Sequence, residues 1–409
     1  MKKIKFLFFV FLFTQISFGQ AEIKTMFYNL LNFSSAPPAN RLEILNSILS
    51  TYEPDLFMVC EIESQIDAQN ILKKSFNYTT AKMAQSPFLF NTSGASLIHQ
   101  LVYYNSEKFK LNYTNQIETN IRSINHYSFE LKTNSNIALE VFVAHFKASR
   151  GEQNEVERLY EAQQFINYID EFSSDTNILF AGDFNLYSSS EPAFQTLLNG
   201  TENIKILDPI DSSGDWNNNS AFAGIHTQST RISNAEFDDF GAGGGLDDRF
   251  DMMLISDVMN SEANNITYIE DSYKAWGNNA NCFNSNINSA DCSGVFSLEL
   301  REWLYQMSDH LPVVMDLKIN DEFLSTNSYD FSNSVTFISG NIVSKVLDLK
   351  FSSELLYKTT RIYNTLGQEV FNFIVYDINE TIDTSTMSSG IYYIKVGQLP
   401  LIKKFYINH

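Results

Sequence analysis

From Ile178 to Asn185 the chain reads Ile-Leu-Phe-Ala-Gly-Asp-Phe-Asn, an apolar run that stops at a glycine and then sets out a carboxylate and an amide. A short run with no polar alternation is predicted as a central strand, buried on both faces. In α/β proteins the groups just past the carboxyl end of such a strand sit where crevices form. Asp183 and Asn185 therefore stand where a chain of this kind keeps its chemistry.

The same placement recurs. Asn29 follows Met26-Phe-Tyr, Glu61 follows Leu56-Phe-Met-Val-Cys60, and His145 follows Val141-Phe-Val-Ala. Asp251 lies inside Arg249-Phe-Asp-Met, and Asp309-His310 precede Leu-Pro-Val. Taken singly, an Asp or Asn at a strand end is a turn former and a lone His is a satisfied structural residue. Six such ends in one chain argue for a shared site.

At 409 residues the chain exceeds the usual single domain, so a catalytic domain with a smaller partner is expected. An apolar fraction of 44%, with 34 Phe and 20 Tyr, suits strands and argues against disorder. Lys2, Lys3 and Lys5 precede the apolar run Phe6 to Phe13, too short to span a bilayer, and Ser17 and Gly19 suit cleavage before Gln20. Residues 1–19 thus read as a signal peptide. No later segment is apolar enough to cross a membrane, and a soluble, exported monomer is expected. Losing those lysines makes the formal charge three units more negative than −20. Such a surface disfavours a non-specific nucleic-acid binder but not a nuclease, because a bound divalent metal supplies local cation density.

Strands are expected at Ile23 to Tyr28, Leu56 to Cys60, Ser96 to Tyr104, His126 to Lys132, Ile137 to Ala144, Arg249 to Ser256 and Val313 to Leu317. A helix is expected from Arg41 to Tyr52, ended by Pro54, and a longer one from Glu152 to Phe172 with Val156, Leu159, Tyr160, Ile166 and Ile169 on one face. Residues 211–248 turn to Asn, Ser, Asp and Gly, as does 276–293, and read as loops, either lids or disordered. Cys282 and Cys292 could staple the second loop in an oxidising compartment, or remain two thiols. Cys60 packs as a small apolar side chain. After 320 comes a Ser-rich linker, 321–333, and then short alternating segments to 409, expected as a small all-β sandwich.

The residue types suit one reaction. A hard cation such as Mg²⁺ takes oxygen ligands, a carboxylate orients and deprotonates water, an imidazole carries charge near neutral pH, and amides donate to phosphate oxygens. Together they describe metal-assisted hydrolysis of a phosphoester. The ordered set Tyr28-Asn29, Pro54-Asp55 to Glu61, Ala144-His145-Phe-Lys147, Gly182-Asp183-Phe-Asn185, Arg249-Phe-Asp251 and Ser308-Asp309-His310 resembles the endonuclease/exonuclease/phosphatase superfamily, over residues 21–319. This is the group of deoxyribonuclease I, apurinic endonucleases, sphingomyelinases and inositol phosphatases.

The resemblance implies a four-layer α/β/β/α sandwich over residues 20–320. It implies Glu61 as the direct Mg²⁺ ligand, with Mn²⁺ or Ca²⁺ as alternatives, Asn29 beside it and Asp309 supporting the metal site. It makes Asp183 the carboxylate that activates water, Asn185 the guide of phosphate and nucleophile, and His310 the catalytic imidazole oriented by Asp251. His145 becomes a phosphate binder or leaving-group acid, and Arg122 a phosphate contact. One departure stands out: Ser96-Leu-Ile-His-Gln-Leu-Val holds no glutamate to orient His145. His226 is either a surface residue or a substrate contact.

Residues 334–409, with Ile362-Tyr-Asn-Thr-Leu-Gly-Gln-Glu-Val370 and Gly390-Ile-Tyr-Tyr-Ile-Lys-Val396, resemble the C-terminal sorting domain of the type IX secretion system, an Ig-like sandwich. The secretion machinery is then a partner, and the protein is secreted or held at the cell surface. A secreted nuclease acting on extracellular nucleic acid is the first expectation. A sphingomyelinase-like or small-phosphate hydrolase is the alternative, and an inactive surface binding module the alternative of another class.

Overall fold

The computed structural model describes residues 21–320, 335–396 and 402–409. The signal peptide expected at 1–19 and the linker at 321–333 lie outside the described residues. The chain divides into two compact units, Met1–Thr326 and Asn327–His409.

The elements of the first unit are β1 (Ala21–Phe33), α1 (Arg41–Tyr52), β2 (Leu56–Ile62), α2 (Gln65–Lys74), β3 (Met83–Gln85), β4 (His99–Asn105), β5 (Phe109–Ile117), β6 (Ile124–Leu131), β7 (Asn134–His145) and α3 (Glu152–Ile169). They continue with β8 (Ile178–Asp183), α4 (Pro192–Asn199), β9 (Ile206–Leu207), β10 (Asp251–Ser256), β11 (Ile266–Tyr268), β12 (Lys274–Ala275), α5 (Leu298–Met307) and β13 (Val313–Ile319). One sheet runs β11-β13-β1-β2-β4-β3, with β12 also on β13, and the other β5-β6-β7-β8-β10-β9. The expected strands are all present, several longer than their apolar runs. Helices α2, α4 and α5 are additional, and α2 and α5 each begin at a serine that caps the first turn, Ser64 and Ser297.

The two sheets face each other across one apolar layer that includes Phe27, Met58, Phe129, Val141, Leu179, Met253 and Met315. α1, α2 and α5 cover the far side of the first sheet. α3 and α4 cover the far side of the second. Helix, sheet, sheet and helix therefore form four layers, which explains why the central strands read as unbroken apolar runs.

Buried arginines pin the loops at the carboxyl ends of the strands. Arg41 donates to the carbonyls of Leu31 and Met307, tying the end of β1 to the end of α5. Arg158 pairs with Glu191 at 2.8 Å and donates to the carbonyls of Lys147 and Ser149, fixing the turn after β7. Residues 211–248 are ordered and lie back on the unit through ladder-like bonds: Thr227 N donates to Asp248 O, Thr230 N to Asp309 O and Leu311 N to Thr227 O. Cys282 and Cys292 are bonded to each other, with S–S 1.98 Å. Cys60 is buried, and burial pushes its thiol well up. No helix among the described residues is long and apolar enough to cross a membrane.

The second unit is all β. One sheet pairs β14 (Val335–Phe337), β16 (Val346–Phe351) and β19 (Asn379–Asp383). The other pairs β15 (Ile342–Val343), β21 (Ile402–Ile407), β20 (Gly390–Val396), β17 (Thr359–Asn364) and β18 (Glu369–Ile374). Leu347, Leu349 and Phe351 from the first sheet share a core with Ile362, Ile394 and Phe405 from the second.

Candidate active site

The strand ends singled out from the sequence converge on one rim. β8 lies between β7 and β10, with Asp183 level with His145 on one side and with Asp251 on the other. From the facing sheet β1 brings Asn29 and β2 brings Glu61. Both of those strands break their ladder there: the β1–β2 register shifts between Asn29 and Phe33, and the β2–β4 register between Val59 and Ile62. Glu61 sits at φ 62° and Asn185 at φ 51°, left-handed conformations that cost energy in a side-chain-bearing residue.

Asn29 is the hub. Its Oδ1 accepts from Leu31 N at 3.0 Å, which turns the amide NH₂ toward two carboxylates, Glu61 Oε1 and Asp183 Oδ2, each at 2.9 Å. Asn32 N donates to the other Glu61 oxygen at 2.8 Å. Ser308 Oγ donates to Asn29 O and accepts from His310 N, joining the turn before β13 to β1. His310 Nδ1 meets Asp251 Oδ2 at 2.7 Å, and its Nε2 lies 3.7 Å from Asp183 Oδ2. His145 Nε2 lies 3.5 Å from the same oxygen and 3.9 Å from Glu61 Oε1. Its Nδ1 is buried without a hydrogen-bond partner, as the missing glutamate foretells.

Asn185 N donates to Asp183 Oδ1 at 3.2 Å, and its side-chain amide donates to Phe146 O. Arg122 comes close but spends its hydrogen bonds on the backbone, Nε to His145 O at 2.7 Å and Nη2 to Phe146 O at 2.6 Å. Asp309 faces the 227–242 segment, its Oδ2 accepting from Ala242 N and from Gln228 Nε2. His226 corrects its expectation on both counts. It is fully buried, with Nε2 on Trp216 O at 2.8 Å, so it is neither a surface residue nor a substrate contact.

Gln228 is the residue sequence reasoning missed. Its amide nitrogen lies 2.7 Å from His310 Nε2 as well as 2.9 Å from Asp309. It belongs to an aperiodic Asn/Ser/Gly stretch, and only its spacing after the buried Thr227, whose hydroxyl accepts from Phe250 N and Asp251 N, could have marked it. A neutral His310 with its proton on Nδ1 accepts from this amide. An imidazolium instead needs Gln228 to turn its oxygen to Nε2, which then confronts Asp309.

The electrostatics follow from packing acids and imidazoles out of water. Burial, aided by Asp251 and Glu61, pushes Asp183 up to about 7. Burial opposes charge on His310, yet Asp251, Asp309 and Asp183 hold it well above the usual histidine range. Burial, with Arg122, His310 and Lys147, holds His145 well below it. One carboxylate oxygen of Asp251 and one of Asp309 are buried without a partner. Ligand atoms of Glu61, His145 and Asp183 lie within 4.8 Å of one another, as do those of Asp183, Asp251 and His310. Clustered oxygens with excess negative charge, and unmet acceptors on Asp251 and Asp309, fit a hard divalent cation.

Residues 341–408 match the family model of the secretion system C-terminal sorting domain. The tail is thus a sorting domain, and the chain carries an export signal of the type IX kind. The chain is also similar to solved structures, two of which are described as endonuclease/exonuclease/phosphatase proteins. D. rerio TDP2 complexed with single strand DNA product matches at 15% identity and TM-score 0.48, over 73% of this chain and 99% of that one. An endonuclease/exonuclease/phosphatase family protein from Bacteroides thetaiotaomicron matches at 13% and 0.47, over 74% and 99%. The human Nocturnin catalytic domain with bound sulfate anion matches at 13% and 0.45, over 73% and 95%. No curated protein matches the chain.

Proposed function

We propose that the protein is a secreted phosphoric ester hydrolase dependent on a divalent cation, Mg²⁺ first, and that it cleaves phosphodiester bonds of extracellular nucleic acid. On this reading residues 1–19 are a signal peptide, 20–320 the catalytic domain, 321–333 a linker and 334–409 the sorting domain. The observation that carries it is the buried carboxylate of Asp183, hydrogen-bonded by Asn29 and flanked by His145 and His310.

Water attacks phosphorus in line and gives its proton to Asp183, aligned by the backbone of Asn185. Asn29 holds the two carboxylates in place, and the second N–H of the Asn185 amide donates to a phosphoryl oxygen as charge grows there. The P–O bond to the departing oxygen breaks, and an imidazolium at His310, stabilised by Asp251, returns a proton to that oxygen. Burial keeps His145 neutral, which suits a donor to phosphate better than an acid. A cation bound at Glu61, with Asn29 and Asp309 supporting the site, would neutralise charge on the reacting phosphate.

The test incubates the full chain with and without Mg²⁺ against plasmid DNA, RNA, sphingomyelin and a phosphomonoester. DNA or RNA is cleaved only with the cation, and Asp183→Asn lowers turnover by about a hundredfold or more. Full activity in that variant removes Asp183 as the base. Intact nucleic acid beside cleaved sphingomyelin transfers the chemistry to lipid.

A further inference from the structure

Beside the candidate site, residues 86–98 form a loop without a single ionisable side chain, in a chain whose residues are 19% charged. Two large apolar side chains stand out from it into solvent, Phe90 at 63% and Leu97 at 79% exposure. Exposed apolar groups on a mobile loop would mean little, but this loop is built. Asn91 N donates to His99 Nδ1, its Nδ2 donates to Ile121 O at 3.1 Å, and its Oδ1 accepts from Ser123 N at 2.8 Å. Gly94, at φ 59°, passes so close to the next loop that a Cβ would lie 2.7 Å from Asn120 O. Phe90 packs edge-to-face with Phe88 and His99, centroids 5.2 and 5.8 Å away, while more than half of its side chain stays open to solvent.

The position is at the mouth. His99 pairs with Ile62, the neighbour of Glu61. The loop that Asn91 grips, 119–123, carries Arg122, whose side chain reaches the carbonyl of His145. Lys147 lies on the same rim, its Nζ on Ala148 O. Among the described residues, neither Arg122 nor Lys147 forms an ion pair, so two cations without a carboxylate partner lie close in chain and contact to His145.

We propose that Phe90, backed by Leu97, is a stacking shelf for an unpaired base of a single-stranded nucleic acid whose scissile phosphate lies at Glu61 and Asp183. The inference rests on the nuclease reading above. A formal charge of −20 repels a polyanion at range, so phosphate contacts alone bind it poorly. Stacking is indifferent to that charge, and cations alternating with aromatic faces match phosphates alternating with bases. A neutral lipid surface would use the apolar groups but bring no net negative charge to Arg122 and Lys147. A duplex keeps its bases stacked inside and offers Phe90 none.

The test measures steady-state cleavage by the full chain with Mg²⁺ on a single-stranded oligodeoxynucleotide, the matching duplex and the small diester bis(p-nitrophenyl) phosphate. Phe90→Ala raises KM for the single strand about tenfold with kcat little changed, and leaves the small diester untouched. Phe90→Trp restores KM. Unchanged KM in Phe90→Ala, with wild type cleaving the strand, overturns the shelf alone. Turnover of the small diester with no oligonucleotide cleaved by wild type removes the nuclease reading and the shelf with it. If Phe90→Ala instead abolishes binding to phosphatidylcholine vesicles and spares the oligonucleotide, the loop is a lipid contact and the proposal is wrong.

Discussion

The two ends of the same strands treat their buried polar groups in opposite ways. At the amino ends of β1 and β2, Asp55 accepts from Lys24 N at 3.1 Å, from Asn105 Nδ2 at 3.0 Å and from Lys108 Nζ at 2.6 Å, beside a cavity of about 380 Å³. Every bond is closed and the acid has a cation. At the carboxyl ends, Glu61, Asp183, Asp251 and Asp309 crowd with two histidines, and oxygens of Asp251 and Asp309 are left over. Satisfied networks stabilise a fold, whereas unsatisfied ones at one rim are held in place by the rest of the structure for a ligand to complete.

Exchanging charge at each end separates the two roles. Glu61→Gln is expected to lower kcat/KM on a small phosphodiester by about a hundredfold or more and to blunt its response to Mg²⁺, with urea unfolding little changed. Asp55→Asn reverses the pattern: turnover stays within about twofold while unfolding free energy falls by about 1–3 kcal/mol. Loss of activity without loss of stability in the Asp55 variant would erase the contrast.

Smaller effects sharpen it. Cys282→Ser opens a bond between residues 10 apart in sequence and should cost about 2 kcal/mol by chemical denaturation, equal to the loss on reducing the native chain. Gln228→Ala, which removes the amide between Asp309 and His310, should lower kcat roughly tenfold and leave KM for the small diester alone. An equal rise in KM would make Gln228 a substrate contact instead. Glu161 gives a pH test away from the cluster. Its buried carboxyl is pushed up to about 8, so the folded chain keeps a proton that the unfolded chain releases. That stabilisation is complete below the ordinary carboxyl range and is lost as pH rises through about 8. Between pH 5 and 8 the melting temperature should fall roughly a few degrees further in the native chain than in Glu161→Gln.

The positions at strand ends were legible because a doubly covered sheet forces its strands into plain apolar runs, and a polar residue closing such a run has few other places to go. Asn29, Glu61, His145, Asp183, Asp251 and His310 could be marked that way. Gln228 could not, because its segment is ordered by bonds to Asp248, Asp309 and Leu311 rather than by any local period. The burial of His226 was hidden for the same reason. Helices α2 and α5 are short, and α5 follows directly on the Asn/Ser-rich disulfide loop, where composition obscures the turn pattern. The bonds of Asn91 to Ile121 and Ser123 join two loops that no linear reading sets side by side.

The pairing of β1 with β13 sets a timetable. The first strand lies in the middle of its sheet, Ala21 level with Ile319, and it cannot be flanked on both sides until the last strand of the unit has emerged from the ribosome. Ladders between residues so far apart close late. Asn29 travels on the first strand and His310 arrives just ahead of the last, so no partial chain can bring them together. The cluster is absent while the chain is being made, and forms only once the whole unit exists.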